Sequence, residues 1–133
     1  MHVEHINPKN VYDSLNTRGY TQVITATGVQ KLVFISGQLP LDENNKLIGE
    51  GDIEAQTRAC YENLRKSLAS AGADFSNVVR MTTYITDLIE HPKGIRKVRA
   101  EYFGTETPPA STMIEIPRLL NNMLIEVEAL AVI

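Results

Sequence analysis

The chain has 133 residues, 43% apolar and 22% charged, and its sixteen acids against thirteen Lys and Arg give a net charge of −3. That length and mixture predict one domain over residues 1–133, with a core that needs neither disulfide nor metal, and exclude a disordered chain. The acidic balance lacks the basic stripe of a nucleic-acid binder, and no apolar run reaches the length of a membrane span.

The N-terminal "MHVEHINPKN" is polar and shows no secretory h-region. The single cysteine, Cys60, excludes an intrachain disulfide and fits a reducing compartment, so a cytoplasmic protein is expected. "YTQVITATG" and "KLVFISGQLP" are rich in β-branched residues around a glycine-containing turn, and they read as two strands of one hairpin. "LDENNKLIGEG" is turn chemistry. From Asp52 the period changes: Ile53, Thr57, Cys60, Leu64, Leu68 and Ala71 recur at helical steps, with Asp52 placed to cap the start and Gly72 to end it. "NVVRMTTYITDL" reads as a strand. "HPKGIRKVRAEYFG" reads as a second helix with Pro92 near its start, Ile95, Val98 and Tyr102 inward, and Gly104 at its end. Two strands follow, Ala110 to Ile116 and Met123 to Ile133.

The order β-β-α-β-α-β-β predicts an α+β domain with helices on one face of a mixed sheet. The other face would stay uncovered in a monomer. In "MLIEVEALAVI", period two puts Met123, Ile125, Val127, Ala129, Ala131 and Ile133 on one face and Leu124, Leu130 and Val132 on the other. A last strand apolar on both faces argues for self-association. Glu126 and Glu128 share the second face. They are either solvated or paired carboxylates at a sheet edge, or a carboxylate placed at a subunit-interface pocket to activate water; spacing alone leaves both open.

"LVFISGQLPLD", "GDIEAQTRACYENLRKSLASAGA", "VVRMTTYITDL", "RAEYFG", "PPAS" and "IEVEALAV", in this order, resemble the RidA/YjgF family, also called the L-PSP endoribonuclease family. The resemblance runs from about Tyr20 to the C-terminus. It implies a chorismate-mutase-like subunit and a homotrimer with a central barrel, whose three sites lie in clefts between subunits. The implied activity is enamine or imine deamination of a small-molecule substrate: water attacks the imine carbon and ammonia leaves, with no metal or organic cofactor. The family's pocket tyrosine falls on Tyr20, which reads equally as a half-buried strand residue. Its "SGQ" turn falls on Ser36, Gly37 and Gln38, where Gly37 serves the backbone and Ser36 lines the cleft or closes the turn. Its water-positioning glutamate falls on Glu126, and Glu128 reads as structural.

One departure stands out. Where deaminating members carry an arginine after "PA" to grip the substrate carboxylate, this chain has Ser111, followed by Thr112 and Met113 in place of the usual serine and cysteine. An arginine offers two charge-assisted hydrogen bonds where serine offers one neutral donor. Two rescues are open. Arg96, at a position where the family often has asparagine, reaches the cleft from the second helix, or else it is an ordinary solvated helix residue. Alternatively the substrate differs, as in arginine-less relatives similar to 2-aminomuconate deaminase. Other chemistries find no support: His2, His5 and His91 lack metal-ligand spacing, Cys60 falls on an inward helix face, and ribonuclease labels attached to the family gain nothing from a negative net charge. Two expectations result. One is a trimeric imine hydrolase with Glu126 orienting water and Tyr20, Ser36, Gly37, Arg96, Ser111, Thr112 and Met113 around the substrate. The other is a trimeric, non-catalytic small-metabolite-binding protein, with no nucleic acid or membrane partner in either case.

Overall fold

The polar N-terminal segment, which carries no strand signal, is a strand. In the computed structural model, which describes residues 1–133, β1 (His2–Ile6) pairs antiparallel with β2 (Val23–Thr27), from His2 opposite Thr27 to Ile6 opposite Val23. A one-turn helix, α1 (Leu15–Arg18), lies between them and ends at Gly19 in the left-handed region. The hairpin expected from "YTQVITATG" and "KLVFISGQLP" is therefore not formed. After Gly28, β3 (Leu32–Gln38) turns away and pairs antiparallel with the C-terminal strand β6 (Ile125–Val132). Gln30 and Lys31 donate their backbone N–H groups to the Ile133 carbonyl, which clamps the turn to the chain end. β6 offers β3 an eight-residue partner with six apolar residues, whereas β1 (HVEHI) is apolar only at Val3 and Ile6, a spacing without the period of a strand.

The main sheet has the order β3-β6-β4-β5, with β4 at Val78–Ile85 and β5 at Ala110–Glu115. Its pairs are antiparallel except β4 with β5, which run parallel from Arg80 opposite Ala110 to Ile85 opposite Glu115. The sheet is thus mixed, as expected. β4 stops three residues earlier than the sequence suggests, because the Asp87 carboxylate accepts from the Ile89 and Glu90 N–H groups and folds the chain into a turn. β6 starts later than Met123, after a 3-10 turn at Leu120–Asn122 in which Asn121 and Asn122 both have positive φ.

Two helices cover one face. α2 (Ile53–Ser70) begins where the Asp52 carboxylate accepts from Ala55 N–H, and the chain turns at Gly72 with φ +80°. Its inward stripe of Thr57, Cys60, Leu64 and Leu68 is fully buried. α3 (Pro92–Phe103) contributes buried Ile95 and Val98, with proline in its first turn and Gly104 after its last. Met81, Ile85, Ile125 and Val127 meet them from the sheet. Burying a side chain of this kind stabilises the fold by about 1.5–3 kcal/mol. At one end Tyr61, Phe75, Tyr102 and Phe103 pack as an aromatic cluster with centroids 5.0–6.3 Å apart.

The opposite sheet face is bare. Phe34 is 77% exposed and Leu32 55%, with half-buried Leu130 beside them across the β3–β6 register. A shallow cavity of about 330 Å³ on this face touches Phe34, Ser36, Arg80, Thr82, Glu128 and Leu130.

Candidate functional site

The double proline of "TPPAS" positions the first group of residues. Pro108 and Pro109 are buried, and their carbonyls accept from the Thr21 hydroxyl and Thr21 N–H respectively, which ties the start of β5 to the loop carrying Tyr20. Thr21 also bridges Ala110. The Ser14 hydroxyl donates to the Tyr20 carbonyl, and the Tyr20 and Tyr12 hydroxyls lie 2.8 Å apart. Burial, then its bond to Tyr12, raises the Tyr20 phenol above its ordinary value. Tyr20, Ser111, Thr112 and Met113 thereby line one cavity of about 480 Å³, between β5, the Tyr20 loop and α3. Arg96, which the sequence left open as either a cleft residue or a solvated helix residue, is exposed and lines this cavity.

Three further arginines line the same cavity: Arg18, Arg80 and Arg99. Arg80, on the outward face of β4, donates to the Thr112 hydroxyl at 2.7 Å and also borders the shallow cavity on the bare sheet face. Arg99 is only 6% exposed, and its single hydrogen bond runs from Nη2 to the Arg18 carbonyl at 2.7 Å. Burial pushes its guanidinium below the ordinary arginine value, with neighbouring Arg96 adding to the effect. The Arg18 guanidinium lies 5.7 Å from the centre of the Tyr12 ring. None of the four forms an ion pair, since the protein's salt bridges involve only Arg58, Arg65 and Lys97. No Asp or Glu lines the cavity. In a protein of net charge −3, this is a local concentration of unpaired cations.

Glu126 lies elsewhere. It stands half-buried on β6 opposite Tyr84, outside the arginine cavity, with its side chain across Gly37. A Cβ on Gly37 would sit 1.9 Å from Glu126 Oε1 and 2.8 Å from its Cδ. "SGQ" is accordingly no turn: Ser36, Gly37 and Gln38 are the irregular last residues of β3, and Gly37 has no positive φ. The glycine is there to leave room for a carboxylate. Glu128, two residues on, accepts from the Tyr84 hydroxyl at 3.1 Å, and that bond raises the Tyr84 phenol. Cys60 is a buried thiol near the Ile125 carbonyl, pushed well up by burial and then by Glu126, which suits a core residue and not a nucleophile. No cluster of three His, Cys, Asp or Glu converges anywhere.

The sequence-derived residues therefore form two groups within one chain. Tyr20, Arg96, Ser111, Thr112 and Met113 share the arginine cavity, while Gly37 and Glu126 stand together and Ser36 borders the bare sheet face. Sequence reasoning missed Arg18, Arg80 and Arg99. A signal existed for two of them. Arg80 is a cation flanked by Val79 and Met81, which period two puts on the opposite, apolar face of the strand, and Arg99 follows the inward Ile95 by four residues on the helix.

Residues 13–133 match the family model described as Endoribonuclease L-PSP. A RutC family protein of Pyrococcus abyssi is 40% identical over 112 residues, 84% of each chain. The 3-aminoacrylate deaminase RutC of Acinetobacter baylyi is 35% identical over 108 residues, covering 81% of this chain and 84% of its own. The crystal structure of YyfB from Yersinia pestis, a protein of unknown function of the conserved Rid family, superimposes over 100% of both chains with a TM-score of 0.90 and 32% identity.

Proposed function

This chain belongs to the endoribonuclease L-PSP (RidA/YjgF) family, and on that premise we propose that it hydrolyses a reactive enamine or imine and releases ammonia. The carrying observation is the Glu126 carboxylate held across Gly37, at a place where any larger residue would displace it. Glu126 accepts a proton from a water molecule as the water oxygen bonds to the imine carbon and the C=N electrons move to nitrogen. The proton passes to that nitrogen. The carbinolamine then collapses: its hydroxyl proton is passed by the carboxylate to the amine nitrogen, the C=O bond forms as the C–N bond breaks, and ammonia leaves a carbonyl product. Such proton transfer by a placed carboxylate contributes about 10²–10⁴-fold. No metal or organic cofactor enters these steps.

The reading includes a homotrimer in the cytoplasm. Water activation and substrate holding lie in separate groups of one chain, and the bare face bearing Phe34, Leu32 and Leu130 supplies an apolar surface for bringing a neighbour's group alongside. The site is then completed between copies, with Ser36, Gly37 and Glu126 facing the Tyr20, Arg96, Ser111, Thr112 and Met113 side. Ser111 replaces the arginine expected at this position and the cavity's guanidiniums stand on other elements, Arg80 on β4 and Arg96 on α3, so the substrate is longer than 2-aminoacrylate, of the 2-amino-dienoate kind.

The test is ammonia release from imines generated in situ, using 2-aminoacrylate and a longer 2-amino-dienoate. Native protein should act on the longer compound, Glu126→Gln should lose turnover while retaining ligand affinity, and Ser111→Arg should gain activity on aminoacrylate. Absence of turnover by native protein and Ser111→Arg on both compounds rejects the enzyme reading. It would leave a trimeric small-metabolite-binding protein, for which the unpaired arginine cavity already provides a ligand site.

A further inference from the structure

Tyr20 reaches the cleft from a segment that its own packing does not hold. The helix before it, α1, is one turn long and buries none of its residues. A single turn fixes several dihedrals for one hydrogen bond, so it persists only where tertiary contacts support it. Within the segment the Ser14 carbonyl accepts from the Arg18 and Gly19 N–H groups, and the Ser14 hydroxyl donates to the Tyr20 carbonyl. Those bonds shape the loop without saying where it stands. Two ties to other elements do. On the β5 side, the Pro108 and Pro109 carbonyls accept from the hydroxyl and N–H of Thr21. On the α3 side, Arg99 Nη2 donates to the Arg18 carbonyl at 2.7 Å. Arg18 is the last residue of α1, and its carbonyl is one that a helix leaves without an internal partner.

Arg99 is built in rather than mobile, being 6% exposed. The chain closes over it at Gly19, where φ is +72° and a Cβ would lie 3.4 Å from Arg99 Nη2. The two helices do not pack side against side. A space of about 380 Å³ lies between them, lined by Asn16 and Gly19 on one side and Ala100 and Gly104 on the other. The Arg99 bond is the one hydrogen bond that crosses from α3 to α1. The structure assigns Arg99 as a positioning residue, which sets where Tyr20 stands relative to Ser111 by holding the carbonyl two residues before it. Thr21 is the second anchor, so Tyr20 hangs between α3 and β5. An apolar side chain at position 99 would leave the Arg18 carbonyl without its donor and α1 without its strut. For the reaction this rests on the imine-hydrolase reading and adds a residue that acts through Tyr20. The anchoring of the segment stands independently of turnover.

The experiment compares ammonia release from the 2-amino-dienoate by native protein, Arg99→Met, Arg99→Lys, Tyr20→Ala and the double variant Arg99→Met/Tyr20→Ala. Arg99→Met should raise KM about 10-fold or more, the lower end of what a hydrogen bond to a charged group contributes, and change kcat much less. Arg99→Lys keeps a charged donor and should recover most of that loss. In the Tyr20→Ala background Arg99→Met should raise KM no further, because two residues acting as one unit are not additive. A native KM in Arg99→Met, or the same rise in both backgrounds, overturns the inference. Limited trypsin digestion reads the anchor without substrate, since the Arg18–Gly19 bond is itself a tryptic site. Arg99→Met should be cut there about 10-fold or more faster than native, with cleavage after Arg80 in β4 unchanged and Arg99→Lys close to native. Equal cleavage at Arg18–Gly19 refutes the anchor, and so does a parallel rise after Arg80, which marks general unfolding. Should Arg99→Met fail to fold, Arg99→Gln carries the same comparisons. A native protein without turnover rejects the deaminase and leaves the cut at Arg18–Gly19 to decide the anchor. Ammonia release with KM and cut both unmoved does the reverse.

Discussion

Substituting Gly37 by alanine separates chemistry from stability. Gly37 has no positive φ, so alanine fits its backbone, and the difficulty is the side chain across from it. The new methyl would lie 1.9 Å from Glu126 Oε1, where ordinary contact begins at 3.4 Å, so the carboxylate must retreat by about 1.5 Å (3.4 − 1.9). Oε1 is the far end of a flexible side chain that stands half-buried on a bare sheet face. A shift of that kind costs about 0.5–1.5 kcal/mol in rotamer strain. For a domain of this size that lowers Tm by roughly 2–8 °C. Catalysis is far less tolerant, since a misplacement of about 1 Å at a reacting group costs on the order of 10²-fold. The assay is initial-rate ammonia release beside thermal unfolding. Gly37→Ala should keep its fold and lose about two decades or more of kcat, with KM changed much less. Near-native kcat in Gly37→Ala would refute the placement of Glu126 as the water-activating group, above all if Glu126→Gln were equally active.

Phe34→Asp puts a charge on the most exposed part of the bare face and should shift the protein to monomer in light scattering, with loss of turnover, whereas a native monomer would contradict the shared site. Leu64→Ala, fully buried at the centre of α2, should cost about 2–5 kcal/mol and show as a lower urea midpoint at unchanged m. Asp74 and Asp87 are held below the usual carboxylate range, Asp74 by the Ser76 hydroxyl and N–H and Asp87 by the N–H groups of Glu90 and Ile89. Folded values below unfolded ones mean that this stability is complete above the unfolded carboxylate value and is lost as pH falls through the folded values, so urea midpoints should drop on acidification and Asp74→Asn should flatten that slope.

The helices were legible because they repeat at a helical period and end in residues with a chemical reason: the Asp52 carboxylate accepts from the Ala55 N–H, Pro92 opens a first turn, and Gly72 takes a left-handed φ. Strand partners were not. Val23–Thr27 and Leu32–Gln38 both look like strands, yet which neighbour each adopts depends on β1 and β6, at opposite ends of the sequence. The site was read half-way. Glu126 and Ser111 stood out as a carboxylate and a hydroxyl where a strand pattern or a family motif made them odd. Arg80 and Arg99 looked like ordinary charges until β4, α1 and α3 were brought around one space, because an arginine becomes unusual only when its counter-ion is missing. Gly37 was noticed for the wrong reason. Its role is an absence of atoms beside a residue 89 positions later.

The separation of Glu126 and Gly37 from the arginine cavity has a consequence for descent. Under the proposed reaction, the residues that handle water, Gly37 and Glu126, sit on β3 and β6, while those lining the arginine cavity come from α1, β4, α3 and β5. A lineage can therefore exchange Ser111, Thr112 or Arg96 and acquire a new diet without touching its reactive carboxylate, and each trial leaves the β3–β6 pairing intact. Divergence among relatives should then concentrate on one wall of the cleft, with the other wall inherited almost unaltered.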